Sequence, residues 1–156
     1  MNVIIANRQR TKKINTRLLK QIVSGLLAEL KVSEAKLGIS LVAAQEMTLV
    51  NETFLKHKGS TDVITFDYAD KIEETILAGE IFVCVDEAVL QAKKFKTKWQ
   101  SEITRYVVHG VLHLLGHDDL KPDLRRKMKR EENRLVRLLA KKFSLAQIGG
   151  GSKLRA

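Results

Sequence analysis

Cysteine and proline are almost absent from this chain of 156 residues, which has one of each. The lone Cys84 cannot close an internal disulfide. That excludes a small disulfide-stapled fold, fits a reducing compartment, and leads us to expect no disulfide-linked partner. Aromatic residues make up only 5% of the chain, so stacking on exposed bases is not signalled. No apolar run approaches the roughly 18 residues that a membrane span needs. The first residues lack the charged, apolar and small-residue pattern of a secretory signal. The expected location is therefore cytoplasmic, away from any membrane. No repeat or Pro-rich linker divides the chain. A single domain is expected over residues 1–145, and residues 146–156, running through Gly149-Gly150-Gly151, are expected to be a flexible basic tail.

The charge that is present is unevenly placed. The net charge is +10, and residues 121–156 hold 12 basic but only 3 acidic groups. A second basic patch, Arg8, Arg10, Lys12, Lys13, Arg17 and Lys20, lies in a start that has no acid before Glu29. Clustering of this kind is the electrostatic footprint of a polyanion binder. It points to Arg125, Arg126, Lys129, Arg130, Arg134 and Arg137 as contacts to a nucleic-acid backbone.

Apolar spacing orders the elements. Val3 to Ala6, Gly38 to Ala44, Asp62 to Phe66 and Ile81 to Val85 read as strands, with Cys84 a small core residue. Leu18, Leu19, Ile22, Val23, Leu26 and Leu27 recur at helical spacing behind an Asn15 or Thr16 cap. A short helix is expected over Gln45 to Leu55. Asp86 and Ser101 are expected to cap the next two, and Pro122 suits the first turn of the last. The order βαβαββααα predicts an α+β fold: a small mixed sheet of about four strands packed by about five helices.

Three of the four histidines, His109, His113 and His117, fall within nine residues. His109 and His113 are one helical turn apart, so both imidazoles leave the same face and can grip one metal ion. Gly116 permits a left-handed turn that ends the helix and sends the chain back. Asp119, three residues beyond it, is placed to supply a carboxylate as third ligand. His117 is the rival, one turn beyond His113. If the helix breaks at Gly116, His117 rotates off the ligand face, and Asp119 is the expected ligand. Three protein ligands leave a fourth position open, as a catalytic site requires. Position 110 is Gly, where zinc peptidases of the His-Glu-x-x-His type carry their general base, so a peptidase is a poor reading.

The segment His109-Gly110-x-Leu112-His113-Leu114-x-Gly116-x-Asp118 resembles the signature of the YbeY family, zincin-like endoribonucleases of ribosomal RNA maturation. Asn51-x-x-Phe54, Thr61-Asp62-Val63-x-x-Phe66, Gly79-Glu80-Ile81, and Met128 with Glu132 are similar to further stretches of that family, in the same order from about residue 45 to 135. Three positions depart from it. Asp119 stands where the family usually has a third His, Leu55 where it has Arg, and Ser60 where it has Pro.

The resemblance implies a zincin-like metal site on a helix, with one Zn²⁺ per chain held by His109, His113 and Asp119. It also implies a single-strand-specific endoribonuclease acting on ribosomal RNA, with the small ribosomal subunit as partner. Lys56 or Lys58 is expected to replace the missing Arg as a catalytic phosphate contact. His57 and His117 are candidates by type alone for the proton acceptor. Glu132, near the apolar face of a basic helix, is expected to pair with an Arg or Lys. The rival reading is a metal-stabilised RNA-binding assembly factor without catalysis.

Overall fold

The computed structural model describes residues 1–69 and 76–150. Its element order matches the expected one: β1 (Asn2–Asn7), α1 (Thr16–Glu29), β2 (Glu34–Val42), α2 (Ala44–Phe54), β3 (Val63–Asp67), β4 (Ile76–Cys84), α3 (Val85–Phe95), α4 (Trp99–Leu114) and α5 (Pro122–Lys142). The strands form one sheet in the order β1-β2-β4-β3. β1, β2 and β4 run parallel, joined by crossovers that carry helices, and β3 adds antiparallel along the edge of β4. The fold class is therefore α+β, as the apolar spacing predicts.

One face of the sheet carries the main core. Leu37, Ile39, Leu41, Ile81 and Val83 pack there with apolar residues of α1, α4 and α5. The other face has a smaller cluster, in which Met47 and Val50 of α2 meet Val42, Ile64 and Cys84. Cys84 is fully buried there, and burial pushes its thiol pKa up.

Helix ends follow local chemistry in part. Asn15 accepts from Leu18 N–H at 3.0 Å, as a cap should, and Pro122 sits in the first turn of α5. Ser101 lies inside α4, which begins at Trp99 after Lys98. Asp86 does not cap its own helix. Its Oδ2 accepts the N–H of Ala44 at 2.6 Å and so satisfies the first turn of α2, while its Oδ1 takes the hydroxyl of Thr11. That choice is tertiary, because β2 and β4 are neighbours and start both helices at the same end of the sheet.

Residues 146–149 are not the flexible tail expected there. Leu145–Gly149 form a 3-10 turn, and Ile148 is fully buried in the main core. An apolar side chain that the core can accept orders the segment around it. From Gly151 on, the expected tail lies outside the described residues.

Two glycines set how closely α4 lies on the sheet. A Cβ at Gly110 would stand 2.8 Å from Cγ2 of Ile81, and one at Gly79 would stand 2.5 Å from the backbone oxygen of Phe66 and 2.8 Å from Leu114. Gly79 thus keeps both the β3–β4 pairing and the packing of the last turn of α4. Gly79→Ala should destabilise the fold by at least about 1–3 kcal/mol, the range of core overpacking, read as a lower urea midpoint. An unchanged midpoint would show that the sheet has room there.

Candidate metal centre

The centre begins with two side chains on one face of α4. The rings of His109 and His113 lie edge to face, 4.8 Å between centroids. The helix then stops at a Schellman turn: Gly116, at φ 99°, donates to the His113 carbonyl, and His117 N–H donates to the Leu112 carbonyl, each at 3.0 Å. The turn carries His117 off the ligand face. Asp118 fixes the returning loop by accepting from Leu120 N–H at 2.8 Å, and Arg125 Nε donates to the backbone oxygen of Asp119 at 3.1 Å. Asp119 Oδ2 ends 3.7 Å from His109 Nε2 and 3.5 Å from His113 Nε2.

These separations can be tested against an ion. Donors at about 2.0–2.2 Å around a tetrahedral centre stand roughly 3.4 Å apart. The three ligand atoms lie within 4.8 Å of one another, so small side-chain adjustments bring the set onto a single divalent metal. Two imidazoles and one carboxylate form a mixed nitrogen and oxygen set, of the kind that zinc accepts. His109, His113 and Asp119 together could hold a metal.

Behind His109 lies a support that the sequence showed only in part. Glu132 of α5 is 3% exposed, and its Oε1 stands 2.8 Å from His109 Nδ1. Arg105 Nη1 donates to its Oε2 at 2.6 Å, and Lys129 Nζ does so at 3.2 Å. Burial alone would raise the Glu132 pKa. The bonds from His109 and Arg105 and the charge of Lys129 outweigh it and hold the carboxyl at about 2. An ionised carboxylate can only accept, so Nδ1 of His109 carries the proton and its Nε2 keeps a lone pair on the side of Asp119. Glu132 thus pairs with Arg and Lys, as expected, and also orients a candidate ligand. Sequence spacing did not single out Arg105. Its signal was its position one turn before His109, on the 105, 109, 113 stripe of α4.

Two clefts meet at the three donors. The larger, about 500 Å³, is lined by His109 and Asp119 with Arg105, Arg125, Arg126 and Lys129. The smaller, about 300 Å³, adds His113, Leu55 and Thr65. Asp62 and Val63 line both. Leu55 is brought to the site by Asn51, which is 5% exposed. Its backbone oxygen accepts from Leu55 and His57 N–H, and its side chain donates to the Gly59 carbonyl at 2.9 Å. This is a physical reason for an Asn four residues before the cleft.

The other site residues are placed less centrally. Lys56, at φ 59°, His57 and Lys58 are exposed on the loop after α2, outside the lining of either cleft. Arg130 and Arg137 are exposed on the outer face of α5. Arg134 pairs with Glu131 at 2.5 Å and Glu29 at 3.6 Å, away from the clefts. The general base of a peptidase has no place here, because any side chain at Gly110 would run into Ile81 of the sheet.

Known proteins resemble this chain in fold and in sequence. The solution structure of a Thermotoga maritima protein has the same fold, with a TM-score of 0.68 at 22% identity over 99% of each chain. Among curated sequences, an endoribonuclease YbeY from Chlorobium phaeovibrioides is 34% identical over 78% of this chain and 80% of its own length. Another, from Elusimicrobium minutum, is 33% identical over 87% and 96%, and one from Finegoldia magna is 30% identical over 96% and 95%. The family model described as endoribonuclease YbeY matches residues 4–140, from β1 almost to the end of α5. The resemblance read from the His-Gly-x-Leu-His segment therefore extends to the whole domain, and the chain belongs to the endoribonuclease YbeY family.

Proposed function

We propose that this chain is a zinc-dependent, single-strand-specific endoribonuclease. We place its action in the cytoplasm, in small-subunit ribosomal RNA maturation and ribosome quality control, with the small ribosomal subunit as partner. The observation that carries the reading is the position of His109, His113 and Asp119 at the junction of two clefts, one of them walled by the basic helix α5.

Those three residues would hold one Zn²⁺ per chain, which would supply Lewis acidity toward water and a phosphoryl oxygen. The protein's own groups do the rest. Arg126 and Lys129 attract the backbone from the wall of the larger cleft. Arg130 and Arg137 extend the basic face outward, and Lys56 and Lys58 reach flanking phosphates from the loop after α2. Hydrolysis adds water across one P–O ester bond. The attacking oxygen goes to phosphorus, and the departing oxygen leaves as a hydroxyl. Asp62, a carboxylate outside the ligand set that lines both clefts, would take the proton that water gives up and pass it to the departing oxygen.

The test is incubation of the zinc-loaded protein with single-stranded and duplex RNA of the same sequence. Cleavage of the single strand alone, lost with a chelator and in His113→Ala, supports the proposal. Binding without cleavage in every arm would leave a non-catalytic assembly factor. Arg126→Gln with Arg130→Gln should also flatten the salt dependence of binding, by about 0.7 in logarithmic slope for each phosphate no longer neutralised. An unchanged slope would make α5 a solvated face.

A further inference from the structure

Resting on the nuclease reading, we infer that Arg125 is a catalytic residue that contacts a non-bridging oxygen of the scissile phosphate. Beside the ion, a phosphate at the metal-ligand junction needs a second positive group to offset the charge that builds on its other oxygens. The smaller cleft provides none: its lining is Leu55, Asp62, Val63, Ile64 and Thr65 with the three ligands. The cation must therefore come from the larger cleft, which offers Arg105, Arg125, Arg126 and Lys129.

Two of these are engaged elsewhere. Arg105 donates to Glu132 and Asn133 at 2.6 and 2.7 Å, and Lys129 donates to Glu132 at 3.2 Å. Arg126 lines the cleft without a bond to the ligand loop among the described residues. Arg125 has such a bond. Its Nε donates to the backbone oxygen of Asp119 at 3.1 Å, which pins the guanidinium beside a metal ligand. Its partner there is a neutral carbonyl. No carboxylate among the described residues lies within 4.0 Å of its nitrogens, so the charge remains available. Both Nη groups keep their donors for two oxygens of one phosphate, the bidentate contact that an ammonium cannot make. Arg125 thus gives this chain, from the α5 side, the guanidinium that Leu55 cannot give from the α2 side.

The experiment is steady-state cleavage of a single-stranded RNA by zinc-loaded wild type, Arg125→Gln and Arg125→Lys, with zinc content measured for each. Wild-type cleavage establishes the underlying reading independently, and its absence would sink that reading rather than this one. With an active wild type, Arg125→Gln should lower kcat about 100-fold, the loss expected for one donor to a developing oxyanion, while KM changes little and zinc stays at one per chain. Arg125→Lys, which keeps the charge but not the fork, should fall between the two. Adding Leu55→Arg to Arg125→Gln should recover part of kcat. An unchanged kcat, a loss confined to KM, or loss of zinc in Arg125→Gln would each overturn the assignment. The last would make Arg125 a support of the Asp119 loop only.

Discussion

Asp119→Ala is expected to abolish stable zinc binding, while His117→Ala keeps about one zinc per chain. The two carboxylate-to-imidazole separations of 3.5 and 3.7 Å leave room for one ion among three donors. Without Asp119, only the two imidazoles of α4 remain. Partners that merely orient a ligand are worth about 10–100-fold in metal affinity, so losing a ligand itself should cost more than about 100-fold. His117 has a different task. Its backbone N–H closes the Schellman turn at 3.0 Å, and that bond survives truncation of the side chain. Asp119→His should retain zinc, because a nitrogen donor in that place is equally acceptable to the ion. Metal analysis of the purified variants decides. Equal losses for Asp119→Ala and His117→Ala, or the reverse order, would contradict the ligand assignment.

Glu132→Ala should produce the largest loss of stability. Truncation leaves the buried side of Arg105 and the Nδ1–H of His109 without the carboxylate that both now use. Breaking a buried charged pair from one side costs about 3–5 kcal/mol. Zinc affinity should fall by about 10–100-fold as well, since His109 loses the group that fixes its tautomer.

Glu132→Gln separates charge from shape and carries a pH signature. The folded-state pKa of Glu132, about 2, lies below the ordinary 4.5, so its contribution is present above pH 4.5 and is lost as pH falls toward 2. Zinc-free wild type should therefore lose a few kcal/mol across that window in urea unfolding, and Glu132→Gln should lose less there. Parallel pH profiles for the two proteins would show that the carboxylate is not held ionised by its neighbours.

The parts of the site that were legible in the sequence are the local ones. His109 and His113 share a face because of helical spacing alone, and Gly116 ends α4 because only a left-handed residue closes that turn. Asp119 follows from the number of residues the returning loop needs. Glu132 was half legible: its position on the apolar side of α5 announced a buried pair. That the pair includes His109 depends on how α5 lies against α4, which no local pattern encodes. Arg105 was missed for the same reason, although it lies one turn before His109. Asp86 shows the same limit in the fold, since it caps α2 across the sheet instead of its own helix. The segment Leu145–Gly149 shows it near the glycine run, where Leu145 and Ile148 are held by the core.

Titration of zinc into the metal-free protein, with cleavage of single-stranded RNA followed at each step, tests the central claim most directly. Three donors around one ion predict no cleavage before zinc is added. They also predict a rise in proportion to zinc and a plateau at one equivalent per chain, with Asp119→Ala flat throughout. Cleavage by the metal-free protein, or an undiminished rise in Asp119→Ala, would contradict it.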